Sequence, residues 1–310
     1  MQKNNLTAVT EFFLLGFQGR QGFRIFLFCL LLVVYCGTIC GNLLIITLVS
    51  TSRNLHTPMY FFISQLSITD IMLSTNIVPK MLYILLNNGG TITYVGCITQ
   101  FCVFGTSETS ECYLLTVMSY DRYVAICNPL RYTSIITSAY CVKLSIICWF
   151  LSLFVILTNR LTTSFLTFCG SNIIDHFFCD LVPLLDIATS GTFIPETEVY
   201  ILSPFLLIVP VIIITISYIK IIAIILRIPS SINRQKAFST CSSHLVVVSI
   251  FYSTMLSVYL LPTRKSPKIS KILSLLYTVF TPFINPIIYS LRNREIMKAL
   301  HETVHRHLRL

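Results

Sequence analysis

Four acids and one arginine carry the chemistry open to this 310-residue chain: Asp70, Glu108, Glu111 and the adjacent pair Asp121 and Arg122. Each lies in or at the end of a long apolar stretch. An ionisable group there costs roughly 2.5–3.5 kcal/mol on insertion scales and needs an interior partner. Asn42 and Asn285 offer amides on neighbouring stretches. These oxygens suit a hard cation. Asp70 or Glu111 can equally be protonated and hydrogen-bonded. Glu108 stands one helical turn from Glu111, with no cationic partner among the apolar stretches. Ionised and facing a pocket, it would hold an amine by a charge-assisted bond. Protonated, it would bond a hydroxyl such as Thr109 or lean into the Asp70 and Glu111 pair. Enzyme chemistry is not expected. His56, His176 and His244 fall at different levels, without nucleophile-and-base spacing or a metal-ligand motif.

Helices in lipid must position these groups. Only 11% of residues are charged and 55% hydrophobic, with mean hydropathy +0.79, whereas an average soluble domain carries roughly 25% charged residues. Seven apolar segments lie at about 24–50, 58–86, 97–123, 139–162, 196–226, 236–262 and 270–291. Lipid offers the backbone no hydrogen bonds, so each reads as a helix, and none alternates as a barrel strand would. The predicted fold class is therefore an all-α membrane protein, a seven-transmembrane-helix bundle forming a single domain over 1–310. Residues 1–23 are expected as an extracellular tail and 292–310 as a cytoplasmic tail, with 292–305 a short amphipathic inner-surface helix. No cysteine follows Cys241, so no acylation site is expected on that tail.

The stretch Ile25–Ser52 has no charge and exceeds the ~20 residues a bilayer requires. Nothing before it reads as a cleavable signal peptide, so it is expected to direct its own insertion. The net charge of +10 could suggest nucleic acid, but its distribution does not. With the amino terminus outside, thirteen of the 22 lysines and arginines fall on the inner side and nine outside. Most of the acids in the connecting segments lie outside. The third outer loop is basic and weakens the bias, yet the inner side remains strongly positive. That suits anionic membrane lipid and an acidic partner. The long loop 163–195 is too polar to span and is expected to fold over the outer mouth. Inverted repeats of the transporter kind are lacking.

Short motifs fall at set places on this frame. Met118-Ser119-Tyr120-Asp121-Arg122-Tyr123-Val124-Ala125-Ile126-Cys127 closes span three, and Asn285-Pro286-Ile287-Ile288-Tyr289 closes span seven. Gly41-Asn42, Asp70 and Trp149 mark spans one, two and four. This set resembles the rhodopsin-like G-protein-coupled receptors. Three further stretches resemble odorant receptors: Leu55-His56-Thr57-Pro58-Met59-Tyr60-Phe61-Phe62, Lys236-Ala237-Phe238-Ser239-Thr240-Cys241-Ser242-Ser243-His244, and Pro282-Phe283-Ile284-Asn285-Pro286 running on to Ser290-Leu291-Arg292-Asn293. The resemblance covers nearly the whole chain.

It implies a receptor for a small, mostly apolar organic odorant entering from outside. Binding would activate a heterotrimeric G protein of the stimulatory class and raise cyclic AMP, with the chain multi-pass in the plasma membrane. A receptor outside the nose fits equally. A transporter or channel is the alternative that the intramembrane carboxylates suggest. The resemblance also implies a sodium site from Asn42, Asp70, Glu111 and Asn285, the one cofactor considered. Coupling would use Asp121, Arg122 and Tyr123, with Arg122 restrained at rest and freed when span six moves. Tyr218, His244, Asn285, Pro286 and Tyr289 would rearrange, with Arg131, Arg234 and Lys236 on the rim of the opened cavity. Pro286 lacks an amide hydrogen and gives a local weak point. Plain packing serves as well for Tyr218.

Projection from these landmarks places Phe104, Gly105, Glu108, Thr109 and Cys112 on one face of span three. Leu202, Ser203, Leu206, Tyr252, Met255, Leu256, Tyr259, Leu275 and Thr278 complete the ligand lining, although simple packing explains each about as well. Cys97 and Cys179 match the family's loop-to-helix disulfide. The second outer-loop bridge usual in odorant receptors has Cys169 here, but Thr189 occupies its partner's place, so no bridge is assigned to Cys169. A metal site from Cys169, His176 and Cys179 would lose Cys179 to the disulfide. Asn5-Leu6-Thr7 is a glycosylation sequon on the external tail.

Overall fold

The computed structural model describes residues 9–260 and 267–308. Seven long helices form one bundle. They are α1 (Gln21–Thr51), α2 (Pro58–Asn87), α3 (Tyr94–Cys127), α4 (Ser138–Thr163), α5 (Phe193–Leu226), α6 (Ser231–Leu260) and α7, which runs Pro267–Leu275, Leu276–Phe280 and Thr281–Arg292. Helix α8 (Arg294–Leu308) follows. Five of the seven, α1, α2, α4, α5 and α7, are long and apolar enough to cross a membrane by length and composition alone. The apolar section of α6 is the shorter Cys241–Ser257. Helix α3 is diluted by Glu108, Glu111, Asp121 and Arg122, but all four are buried in the bundle. Apolar side chains such as Phe26, Val33, Phe150 and Ile219 point outward. Polar in and apolar out is the arrangement a lipid solvent dictates.

Local sequence explains the helix ends and irregularities. Thr93 and Thr137 cap α3 and α4, accepting hydrogen bonds from the backbone N–H of Gly96 and Tyr140, and Pro58 sits at the first turn of α2, where its missing N–H costs nothing. Two π-helical turns occur, Pro204–Ile208 in α5 and Leu276–Phe280 in α7. Each lies just before a proline, Pro210 and Pro282. A proline ring crowds the carbonyl four residues back, and a widened turn gives that carbonyl room. In α7 the Thr281 hydroxyl donates to the Leu276 carbonyl at 3.2 Å.

Residues 1–23, expected only as a tail, contribute a strand that the sequence reading did not foresee. Strand β1 (Glu11–Leu14) pairs antiparallel with β2 (Gly90–Thr93) and parallel with β3 (Ile173–Ile174). This small sheet joins the amino-terminal segment, the α2–α3 turn and the long loop into a lid over one end of the bundle. Gly89 makes the joint possible. Its φ is 122°, and a Cβ there would lie 2.5 Å from the Phe13 ring. At the opposite end Asn293 starts α8, its side-chain oxygen accepting from the N–H of Glu295 at 3.1 Å and from the Tyr60 hydroxyl at 2.9 Å. Buried Leu55, Ile296 and Ala299 share the same apolar core there.

Candidate functional site

The Cys97–Cys179 disulfide is formed, linking the start of α3 to the long loop across 82 residues of sequence. Gln100 reinforces it. Its side-chain oxygen accepts from the Cys179 N–H at 2.9 Å, and its amide donates to the Asn76 carbonyl at 3.0 Å. Past Cys179 the chain turns into a short helix, Leu181–Ile187, capped by Asp180. His176, Phe177 and Phe178 plunge inward and are buried. The Phe178 ring meets Phe104 edge-on at 5.0 Å, and Phe104 in turn faces Tyr277 at 6.0 Å. Lys271 of α7 fastens the lid from the other side, donating to Asp175 at 2.5 Å and to the Gly16 carbonyl at 2.8 Å. His176 stacks on Phe177 at 4.7 Å. Burial, aided by the Lys271 ammonium, pulls its imidazole down to about 3. It is therefore neutral at physiological pH.

Cys169 is free and exposed. Near it, Thr189 is held by hydrogen bonds rather than by a bridge. Its N–H and its hydroxyl both donate to the Thr167 carbonyl at 2.9 Å. Thr167 also touches the Ser190 hydroxyl.

Beneath the lid, Phe104, Glu108, Thr109, Cys112, Tyr252, Met255 and Thr278 are all buried. Tyr252 donates to the Cys112 carbonyl at 3.2 Å, tying α6 to α3, and Thr278 donates to the Ser274 carbonyl at 2.7 Å. Leu202, Ser203, Leu206, Leu256 and Leu275 are half-buried. The side chain of Tyr259 lies outside the described residues. Gly105 lies against α4. A Cβ there would come 2.5 Å from Ile156 Cδ1 of α4, so α3 and α4 pack closely at this position. Glu108 Oε1 has no hydrogen-bond partner, neither Thr109 nor the groups around Glu111.

One turn further along α3, three side chains converge. The Asn285 amide donates to both oxygens of Asp70 at 3.2 Å and to Glu111 Oε1 at 3.3 Å. Asn42 stands beside them but spends its amide on the carbonyls of Thr38, 3.0 Å, and Pro282, 3.2 Å. Its own oxygen and the Ser74 hydroxyl are buried without partners. Two carboxylates sharing one amide, with two orphaned oxygens nearby, make an oxygen-rich donor set that fits a hard monovalent cation.

At the far end of α3, Asp121 accepts from the Tyr132 hydroxyl at 2.8 Å. Arg122 is buried against the Met59 sulfur. Tyr218 and His244 share a hydrogen bond of 2.6 Å between α5 and α6. The Tyr289 hydroxyl is buried without a partner. Pro286 interrupts the amide ladder of α7, and its ring lies where a Cβ on Gly41 would approach within 3.2 Å. Tyr123 and Arg234 are half-buried. The side chain of Lys236 and the Asn5 sequon lie outside the described residues. Sequence reasoning missed Met59, Tyr132 and the pairing of Lys271 with Asp175. Lys271 had a signal, being a lysine at the very start of an apolar span.

A seven-helix membrane bundle with a disulfide-pinned lid at one end and an Asp-Arg-Tyr triplet at the other has the build of a G-protein-coupled receptor rather than an enzyme. A family model described as "Olfactory receptor" matches residues 28–307. Human olfactory receptor 5G3 is 44% identical over 99% of this chain and 98% of its own length. Mouse olfactory receptor 5M5 is 44% identical over 99% and 97%. Rat olfactory receptor 1500 is 42% identical over 97% and 96%. The chain belongs to the olfactory receptor family.

Proposed function

We propose that this odorant receptor takes a small, mostly apolar organic ligand from the extracellular side and activates a stimulatory G protein, raising cyclic AMP. The observation that carries this reading is the interior beneath the lid, where Phe104, Tyr252 and Met255 surround hydroxyl and carboxyl groups. Small organic ligands want such a lining. The lid and Cys97 face outside and the Arg122 end faces the cytosol, beside anionic lipid. The ligand acts by favouring the state in which α6 is displaced, through differential affinity for the two states. In the closed state Arg122 is covered by Met59, and the Tyr218–His244 bond joins α5 to α6. Parting α6 from α5 frees Arg122, Arg131, Arg234 and Lys236 for the acidic partner. Asp70, Glu111 and Asn285, with the unpartnered Ser74 hydroxyl and Asn42 oxygen, would hold a sodium ion in the closed state. That ion would supply the countercharge the two carboxylates lack.

An odorant panel on transfected cells tests the reading. Ligand should raise cyclic AMP, and Arg122→Ala should abolish the rise at unchanged surface level. A cyclic AMP response that survives Arg122→Ala would overturn it, as would a panel in which surface-expressed receptor never signals.

A further inference from the structure

Glu108 lies in the proposed ligand lining without a hydrogen-bond partner for Oε1. It is 6% exposed. Glu111, one turn away, receives the Asn285 amide. A second carboxylate approaches Glu108 from the lid. Phe178 packs on Phe104, one turn from Glu108, and Asp180 follows two residues later. The two acids are near enough for their charges to repel. Asp180 accepts from the Leu181 N–H at 2.7 Å, so it too is fixed in place. Of the cations at this end, Lys271 bonds Asp175 and Gly16, Lys80 the Thr91 carbonyl at 2.6 Å and Arg24 the Leu85 carbonyl at 3.3 Å, while Arg160 keeps a buried nitrogen without a partner. Among the described residues none pairs with Glu108. His176, the remaining base nearby, is buried and has an unpartnered Nδ1.

We propose that the receptor recognises a primary alkylamine, its ammonium bridging Glu108 of α3 and Asp180 of the lid. A carboxylate buried beside a second acid and without a partner is costly, and an opposite charge between them removes that cost. A primary ammonium has enough N–H donors for both acids, and each bond is charge-assisted. The alkyl tail lies along Phe104, Tyr252 and Met255, which are 2–4% exposed. This assignment rests on the odorant-receptor reading and narrows its ligand class. Because Asp180 belongs to the lid and Glu108 to the bundle, the ligand also ties the two together.

The experiment compares short straight-chain primary amines, the matched alcohols and a neutral odorant active on this receptor, by cyclic AMP response and by thermal stabilisation of the purified full chain. Glu108→Gln should weaken amine potency by on the order of thirtyfold, the worth of one charged hydrogen bond. Asp180→Asn should weaken it by about tenfold. The neutral odorant should lose far less potency than the amine in both variants. Amines that neither activate nor stabilise the wild type overturn the proposal, and so does an equal loss for amine and neutral ligand. Amine stabilisation that disappears with Glu108→Gln, without any cyclic AMP rise, would uphold amine binding and sink the coupling reading instead.

Discussion

The two ends of the bundle are fastened by different kinds of bond. At the lid end a disulfide, a three-stranded sheet and the Lys271–Asp175 ion pair join segments far apart in sequence. These bonds support one another and must give way together. At the Arg122 end the ties are single side-chain contacts: Tyr132 on Asp121, Tyr218 on His244, Tyr60 on Asn293 and Arg122 on Met59. Each is worth about 1 kcal/mol net and can be exchanged alone. Under the proposed mechanism, a ligand bound beneath the more firmly fastened lid shifts the balance where the ties are weak. The difference suits the Arg122 end to the bistable role that the proposed coupling requires.

The largest effect should come from cutting the covalent tie. A loop of 82 residues closed by a disulfide constrains the unfolded chain by ~4 kcal/mol, a large share of a typical domain's margin. Cys97→Ser should therefore remove most receptor from the cell surface, read by antibody labelling, and lower the melting temperature of what remains. Full surface expression of Cys97→Ser would mean that the sheet and ion pair hold the lid unaided.

A smaller effect lies within the lid itself. His176 is held at about 3 against an ordinary 6.5, and burial pushes Asp180 up to about 6 from 3.8, opposed by its bond from the Leu181 N–H. Between about pH 4 and 6 the unfolded chain binds more protons at the histidine than the folded one, and fewer at the aspartate. The histidine contribution is complete above its unfolded value and is lost as pH falls. The aspartate contribution is complete at low pH and is lost as pH rises towards 6. Each slope is at most about 1.4 kcal/mol per pH unit, so in the wild type they largely offset. Relative to wild type, His176→Gln should melt lower as pH rises through this window, and Asp180→Asn should melt higher. Slopes of the same sign in both variants would refute the opposition.

How much of this was legible in the sequence differs between the same two regions. The spans could be read because apolar runs stand out, and a charge within one demands an interior partner; that Asp70, Glu111 and Asn285 converge came through resemblance, as did the disulfide. The sheet could not be read. Glu11–Leu14 has no feature of its own as a strand, and its partners lie at 90–93 and 173–174, a pairing that only the folded lid creates. The close approach of Gly105 to α4 could not be read for a related reason. Helix α3 sits in the middle of the bundle and is buried on almost every side, so periodicity cannot separate a ligand-facing side from one facing α4. Asn42 was placed in the right neighbourhood, but its amide bonds to the carbonyl of Pro282. That carbonyl is free because Pro286, four residues on, has no N–H to give it, which the identity of Asn42 alone does not reveal.

The smallest expected effect concerns a single tie at the Arg122 end. Tyr132 stands in the turn after α3, where burial, and then the adjacent Asp121 carboxylate, push its phenol up and keep it a hydrogen-bond donor. Its bond to Asp121 attaches that turn to α3 in the closed arrangement. Tyr132→Phe removes the hydroxyl and keeps the ring, at a cost of about 1 kcal/mol to the closed state. If that cost falls on the closed state alone, the open population rises about fivefold. Basal cyclic AMP should rise by a similar factor at matched surface expression, with the melting temperature nearly unchanged because the lid is untouched. A fall in basal signal would carry the opposite meaning. Tyr132 would then be holding Asp121 away from Arg122, and the bond would loosen the Arg122 end instead of securing it.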